Sequence, residues 1–235
     1  NIKPRILTSK NTYEVFKATP KQIQTIKAIL SCDEQGNFLH SLHLLIWPRR
    51  HSKSTLFALI ILWLFLSKKN YTIQLSGNNE THSRRVQFNT LIKIIRNTPA
   101  LKTRISEKDI TIFKIENPKR GNVIQMNPAS TATAYGDKLD VLWVSDLSGC
   151  VDFSPFNILQ AALLDSENSL CLIDSNVDTL DGPIHSLQRE AKHDDSIFCD
   201  HIQYKDFKEF EKLAPPWINR LKAKRLKSTS LPADY

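Results

Sequence analysis

Residues 56–66, LFALIILWLFL, constrain this chain more than any other stretch. Eleven apolar residues in a row are too few to cross a bilayer, which takes about 20 as a helix. A helix apolar on every side must instead be covered on every side by protein. The run therefore predicts a helix buried between layers, over 53–66, in a fold large enough to enclose it. At 235 residues the chain is long enough for one such domain, or one with an appendage.

Short apolar runs supply the other layer. SLHLLI (41–46), DVLWVS (140–145) and SLCLI (169–173) read as buried strands, and YTIQLS (71–76) alternates like a strand. ITIFKI (110–115) and NVIQM (122–126) flank the turn signal NPKRG and predict a hairpin-like excursion. Residues 197–204 suggest a further strand. Helices are expected over 20–31, where Thr19-Pro20 offers a cap and first position, and over 80–96, with Val86, Phe88, Leu91, Ile92 and Ile95 inward. Further helices are expected over 155–164, 207–213 and 216–226. Short apolar strands alternating with helices specify an α/β fold with a mainly parallel central sheet flanked by helices.

In such sheets ligands lie at the carboxyl ends of strands. Three polar segments fall there: 47–55, 145–149 and 174–179. The first, WPRRHSKST, ends like a phosphate-binding loop, G-x-x-x-x-G-K-[ST]. Lys53 is placed to bridge phosphates, Ser54 to ligate Mg²⁺, and Thr55 to follow at the helix start, where backbone N–H groups attract anions. Arg49, Arg50 and His51 lie within the loop. Trp47 and Ser52 occupy the two glycine positions, so a basic loop that merely ends in Lys-Ser is the competing reading. The second segment, VLWVSDLSG, carries one acid where a parallel-sheet NTPase uses an acidic pair. In one register Asp146 is the metal-side acid and Leu147 takes the catalytic place. In the other Ser145 stands first and Asp146 is the catalytic carboxylate. The third, ending in Asp174-Ser175-Asn176, offers small polar groups able to sense a γ-phosphate.

Net charge of +8 and a pI near 9.3 favour a polyanionic partner, nucleic acid first. Arg220–Lys227, RLKAKRLK, is the candidate contact. The four cysteines, Cys32, Cys150, Cys171 and Cys199, form neither a zinc-ligand spacing nor a disulfide framework, and fit a reducing compartment. The N-terminal NIKPRILTSKN lacks the apolar core of a signal peptide.

In this order the segments resemble the ATPase domain of the large terminase subunit of tailed bacteriophages, the DNA-packaging motor. PRRHSKST is similar to the family's P-R-x-x-G-K-S-T loop, DVLWVSDL to its strand closing in Asp-Glu-Leu, SLCLIDSN to its coupling strand, and APPWI to its Pro-Trp-Ile segment. The resemblance implies a P-loop NTPase of the ASCE type over 1–213, with 214–235 a basic helical segment leading toward a nuclease domain whose acid cluster is absent here. It implies ATP and Mg²⁺ as ligands, with nucleotide contacts from Gln22 (Gln24 competing), Arg49, Arg50, His51, Ser52, Lys53, Ser54 and Thr55. Arg49 would reach toward the γ-phosphate, and Asp146 would serve catalysis or, with Ser54, the metal. Ser175 and Asn176 would couple hydrolysis to movement. The resemblance further implies double-stranded DNA, a homo-oligomeric ring, a portal and a small terminase subunit as partners, no membrane, and the cytoplasm of an infected bacterial cell. Ser52 in place of glycine and a single acid after the strand imply impaired phosphate binding and hydrolysis; a catalytically silent DNA-binding or assembly module is the alternative. A helicase would need a second motor domain, and a small-molecule kinase a lid and an acceptor pocket.

Overall fold

A computed structural model describes residues 2–8, 11–126, 138–149, 154–176 and 182–229. Its centre is a seven-stranded sheet. The strands are β3 (Leu42–Ile46), β4 (Thr72–Gly77), β5 (Lys114–Asn117), β6 (Asn122–Met126), β7 (Val141–Ser145), β8 (Leu170–Ser175) and β9 (Ile197–His201). Their order is β5-β6-β4-β7-β8-β3-β9, and every pairing is parallel except β5 with β6. β1 (Arg5–Leu7) and β2 (Tyr13–Val15) make a separate antiparallel pair. This is the α/β arrangement, a mainly parallel central sheet flanked by helices, that the sequence predicts. β8 lies between the loop-bearing β3 and the acid-bearing β7.

Both faces are covered, and the strand residues divide by parity, as a two-residue period requires. Leu45, Ile73, Leu75, Val141, Trp143, Leu170 and Leu172 pack with α1 (Pro20–Ile29), α2 (Lys53–Ser67) and α4 (Asn89–Asn97). Leu42, Leu44, Ile46, Leu142, Val144, Cys171 and Ile173 pack on the other face, with Leu159 of α6 (Ser154–Ala161) and Ile184 of α7 (Pro183–Glu190). α2 carries the apolar run and is enclosed as expected, apart from Trp63, which is 52% exposed. α1 starts from a capping box: Thr19 Oγ1 accepts from the Gln22 backbone N–H, and Gln22 Oε1 accepts from that of Thr19. Thr25 and Lys21 then join α1 to β9 through the buried Asp200, each at 2.7 Å.

Three local readings are corrected. Ile110–Phe113 is not strand: the run turns back on itself, with Thr111 N–H donating to Lys114 O and Ile110 bridging Ile115, so β5 starts at Lys114. The helix expected over 80–96 is interrupted. α3 (Glu80–Ser83) passes through a π-turn, Arg84–Phe88, before α4. The wider turn shifts the buried face. Gln87, Phe88, Leu91, Ile94 and Ile95 are buried, whereas Val86 and Ile92 are only partly so. The last stretch is helical from Arg220 rather than Pro216, as α9 (Arg220–Thr229), after α8 (Phe207–Leu213). Residues 177–179 of the third polar segment, Cys150, and residues 230–235 lie outside the described residues. Among the described residues, no helix is long and apolar enough to cross a membrane.

Candidate active site

The loop after β3 turns into α2 through two residues with left-handed backbone, Arg50 (φ 68°) and Ser52 (φ 63°). Ser52 therefore adopts, as a serine, the conformation that favours glycine at this position, at a cost of order 1 kcal/mol. A third left-handed residue is Asp146 (φ 60°), directly after β7. Of the five non-glycine residues with positive φ among the described residues, these three sit together at the strand ends. Backbone strain of this kind concentrates at functional sites.

Trp47, at the first glycine position, is a core residue, and its carbonyl accepts from Lys53 Nζ. Lys53 Nζ also donates to Asn176 Oδ1 at 3.3 Å. Burial pulls the Lys53 ammonium below its ordinary pKa, opposed by the nearby Asp174 and Asp146 carboxylates. Ser54 Oγ donates to Asp174 Oδ2 at 3.0 Å. Thr55 continues the first turn of α2. Arg49 and Arg50 are exposed beside the loop. His51 is buried and belongs to the loop's own scaffold. Its Nδ1 pairs with Arg49 O at 3.0 Å and so carries the proton; its Nε2 then accepts from Tyr204 Oη at 2.7 Å. Burial, first, and the Lys53 charge lower the pKa of this ring. Trp217 Nε1–H donates to Arg50 O at 2.9 Å, so the Pro-Trp-Ile segment also reaches the loop.

Asp146 accepts from Ser148 Oγ at 3.4 Å and from Asn176 Nδ2 at 3.5 Å. Ser175 Oγ accepts from the Ser148 N–H at 3.2 Å. The segments after β7 and β8 are thus interlocked, and Asn176 spans the loop lysine and Asp146. Ser145 is the last residue of β7 and is buried, and Asp146 follows it directly. Gln22 stands apart. Its Oε1 is engaged in the α1 cap, and its Nε2 is buried with no hydrogen-bond partner among the described residues. Nothing in its bonding links it to the loop, while Gln24 is exposed.

No protein-family model and no curated protein sequence matches this chain. Solved structures do. The large terminase of bacteriophage HK97 aligns over 94% of this chain and 50% of its own, with TM-score 0.73 and 17% identity. The large terminase of a thermophilic bacteriophage, solved in complex with ADP, aligns over 93% and 52%, with TM-score 0.70 and 10% identity. The large terminase ATPase domain of Thermus phage P74-26 aligns over 92% and 90%, with TM-score 0.62 and 9% identity. This chain has the fold of a large-terminase ATPase domain. It spans about half the length of the first two proteins, and nearly all of the isolated ATPase domain.

Within that terminase-like fold, four residues of the site escape a linear reading. Asp174 is 3% exposed and lies under the loop serine. Its signal is parity: Leu170, Leu172 and Asp174 share the face that packs on α2. Tyr204 and Trp217 act from distant segments: the Pro-Trp-Ile resemblance marks Trp217 without placing it at the loop, and nothing in the sequence points to Tyr204. Gln87, turned inward by the π-turn, donates from Nε2 to Trp143 O at 2.8 Å and has no signal in the sequence.

Proposed function

We propose that this chain is a terminase-like motor domain that binds ATP with Mg²⁺ and couples its hydrolysis to packaging of viral double-stranded DNA. One observation carries this reading. In a P-loop fold, Lys53, Ser54, Asp146 and Asn176 converge at the carboxyl ends of β3, β7 and β8. The large terminase of the thermophilic bacteriophage, solved in complexes with ADP and with ATP-gamma-S, shares the fold.

The donor set fits magnesium: a serine hydroxyl and aspartate carboxylates are hard oxygen ligands. No group of three or more His, Cys, Asp or Glu side chains among the described residues forms an all-protein cage, so phosphate oxygens and water would complete the shell. Ser54 and Asp146 are the residues nominated to hold the ion. When bound, the metal would neutralise charge on the β- and γ-phosphates. Lys53 would exchange the Trp47 carbonyl for phosphate oxygens, and the α2 N-terminus would face the same anion. Arg49 would approach the γ-phosphate, and Arg50, His51, Ser52 and Thr55 would shape the cradle. Asp146 would orient and deprotonate the attacking water; the new P–O bond forms as the bond to the β–γ bridging oxygen breaks. Asn176 and Ser175 would pass the loss of γ-phosphate to neighbouring segments. Gln22 would contact adenine only after leaving its cap.

The wider reading follows the same resemblance. Residues 1–213 form the ATPase unit and 214–235 a basic segment toward a nuclease domain. The motor works as a homo-oligomeric ring with a portal and a small terminase subunit, in the cytoplasm of an infected bacterium. A second reading, a silent DNA-binding or assembly module, is favoured by one observation: Lys53 is already satisfied by Trp47 and Asn176, while Ser145 leaves β7 a single acid. Phosphate release and thermal shift with ATP and Mg²⁺, against Lys53→Ala, separate the two. Turnover lost in Lys53→Ala supports the motor. A wild type that binds DNA salt-dependently but neither binds nor hydrolyses ATP supports the silent module.

A further inference from the structure

We propose that Asp174 on β8 is the metal-side carboxylate of this site, displaced by one strand from β7, where Ser145 stands in its stead. Asp146 is then left to face the attacking water. The inference rests on the nucleotide reading above and assigns its two acidic roles to particular residues.

The sheet explains why the exchange works. Ser145 and Asp174 are direct partners in the parallel β7–β8 register. Each closes a series, Val141-Trp143-Ser145 and Leu170-Leu172-Asp174, whose apolar members pack on the α2 face. Both side chains therefore project from strand ends toward the helix that opens with Lys53-Ser54. Ser145 Oγ lies 3.5 Å from Asp174 Oδ2, so the two positions share one small volume. One carboxylate fits there, from either strand. The hydroxyl nominated for the metal, Ser54 Oγ, bonds this carboxylate and no other among the described residues. Asp146 is turned elsewhere by its left-handed backbone, onto Ser148 and Asn176.

A purely architectural role accounts poorly for the acid. Trp143 Nε1–H donates to Oδ1 at 2.7 Å, and a neutral side chain could accept that bond. Burying a carboxylate is costly unless charge compensates it. Trp143, Ser54 and Ser145 hydrogen-bond it and the Lys53 ammonium acts on it from further off; when loaded, the cation would supply the direct charge partner. Trp143 fixes one oxygen and leaves the other, Oδ2, aimed at Ser54.

The test measures metal binding directly. Mn²⁺ binding is followed by electron paramagnetic resonance in the presence of ADP, and ADP binding by fluorescence of its methylanthraniloyl derivative without metal. The proteins are wild type, Asp174→Asn, Ser145→Asp, and the double variant Ser145→Asp/Asp174→Asn. Asp174→Asn is expected to weaken Mn²⁺ binding by about 10- to 100-fold without weakening metal-free ADP binding, since it removes a negative charge beside the phosphates. The double variant, which returns the acid to β7, restores Mn²⁺ affinity. Ser145→Asp alone crowds two carboxylates together and lowers Tm. Wild-type Mn²⁺ affinity in Asp174→Asn, or no recovery in the double variant, overturns the transposition. If Asp174→Asn does not fold, the double variant decides alone: near-wild-type Mn²⁺ binding supports the assignment and its loss overturns it. A wild type that binds no ADP under any condition overturns the nucleotide reading itself, which separates the two failures.

Discussion

The hydroxyl of Tyr204 donates to His51 Nε2 at 2.7 Å, tying the segment beyond β9 to the middle of the loop that joins β3 to α2. The bond fixes the His51 tautomer and holds the buried ring between Arg49 O and the phenol. Tyr204→Phe removes one partly buried hydrogen bond, worth about 1 kcal/mol. In a domain of this size Tm should fall by about 2–4 °C. The measurement is differential scanning calorimetry; an unchanged Tm would mean that this bond does not hold the loop.

Ser52 is in left-handed backbone with no side-chain cap bond to α2. Ser52→Gly relieves strain of order 1 kcal/mol but adds comparable freedom to the unfolded chain. Stability should change little, while ADP affinity rises because the backbone can approach the phosphates. Ser52→Val, β-branched at positive φ, should cost about 1–2 kcal/mol. Denaturant unfolding of the pair checks the strain, and an ADP titration checks the site. Equal ADP affinity for serine and glycine would show that the missing glycine does not limit binding.

Asn176 joins Lys53 to Asp146 through the two ends of one amide. Asn176→Ala should leave ADP binding nearly intact and slow phosphate release by about tenfold, roughly 1.4 kcal/mol in the barrier. A fall in affinity without a fall in turnover would assign the residue to binding instead.

His43 is fully buried in β3, and burial, first, with the neighbouring His40, holds its pKa down to about 3. The ring is neutral in the fold and takes a proton on unfolding below its ordinary pKa of 6.5. The unfolded chain thus binds more protons between those values. Stability is full above about pH 6.5 and is lost as pH falls toward 3, by at most about 1.4 kcal/mol per unit from this group. His43→Leu should flatten the slope over that window in pH-dependent urea unfolding. It should not abolish it, since burial also lowers His51 and His201. A wild-type slope in the variant would place the proton uptake elsewhere.

The layers are legible because strands buried on both faces are written as unbroken apolar runs: LHLLI, VLWVS, and LCLI at the start of β8. The loop is legible because Lys53-Ser54-Thr55 is local in sequence. The partners of those residues are not. Asp174 reaches Ser54 across 120 positions, and only the order of β7, β8 and β3 brings them together. ITIFKI has strand-like composition but folds back at Thr111–Lys114, which no periodicity signals. The π-turn changes the inward set by widening one turn, exchanging Val86 for Gln87.

Trp217 holds Arg50 O, while the Arg220 guanidinium, at the start of α9, is clasped by the carbonyls of Ala214, Pro215 and Ile218. The chain downstream of the sheet is therefore hydrogen-bonded to the loop after β3. One indole N–H thus joins the segment that leads into α9 to Arg50, three residues from Lys53, by a route that does not pass through the sheet.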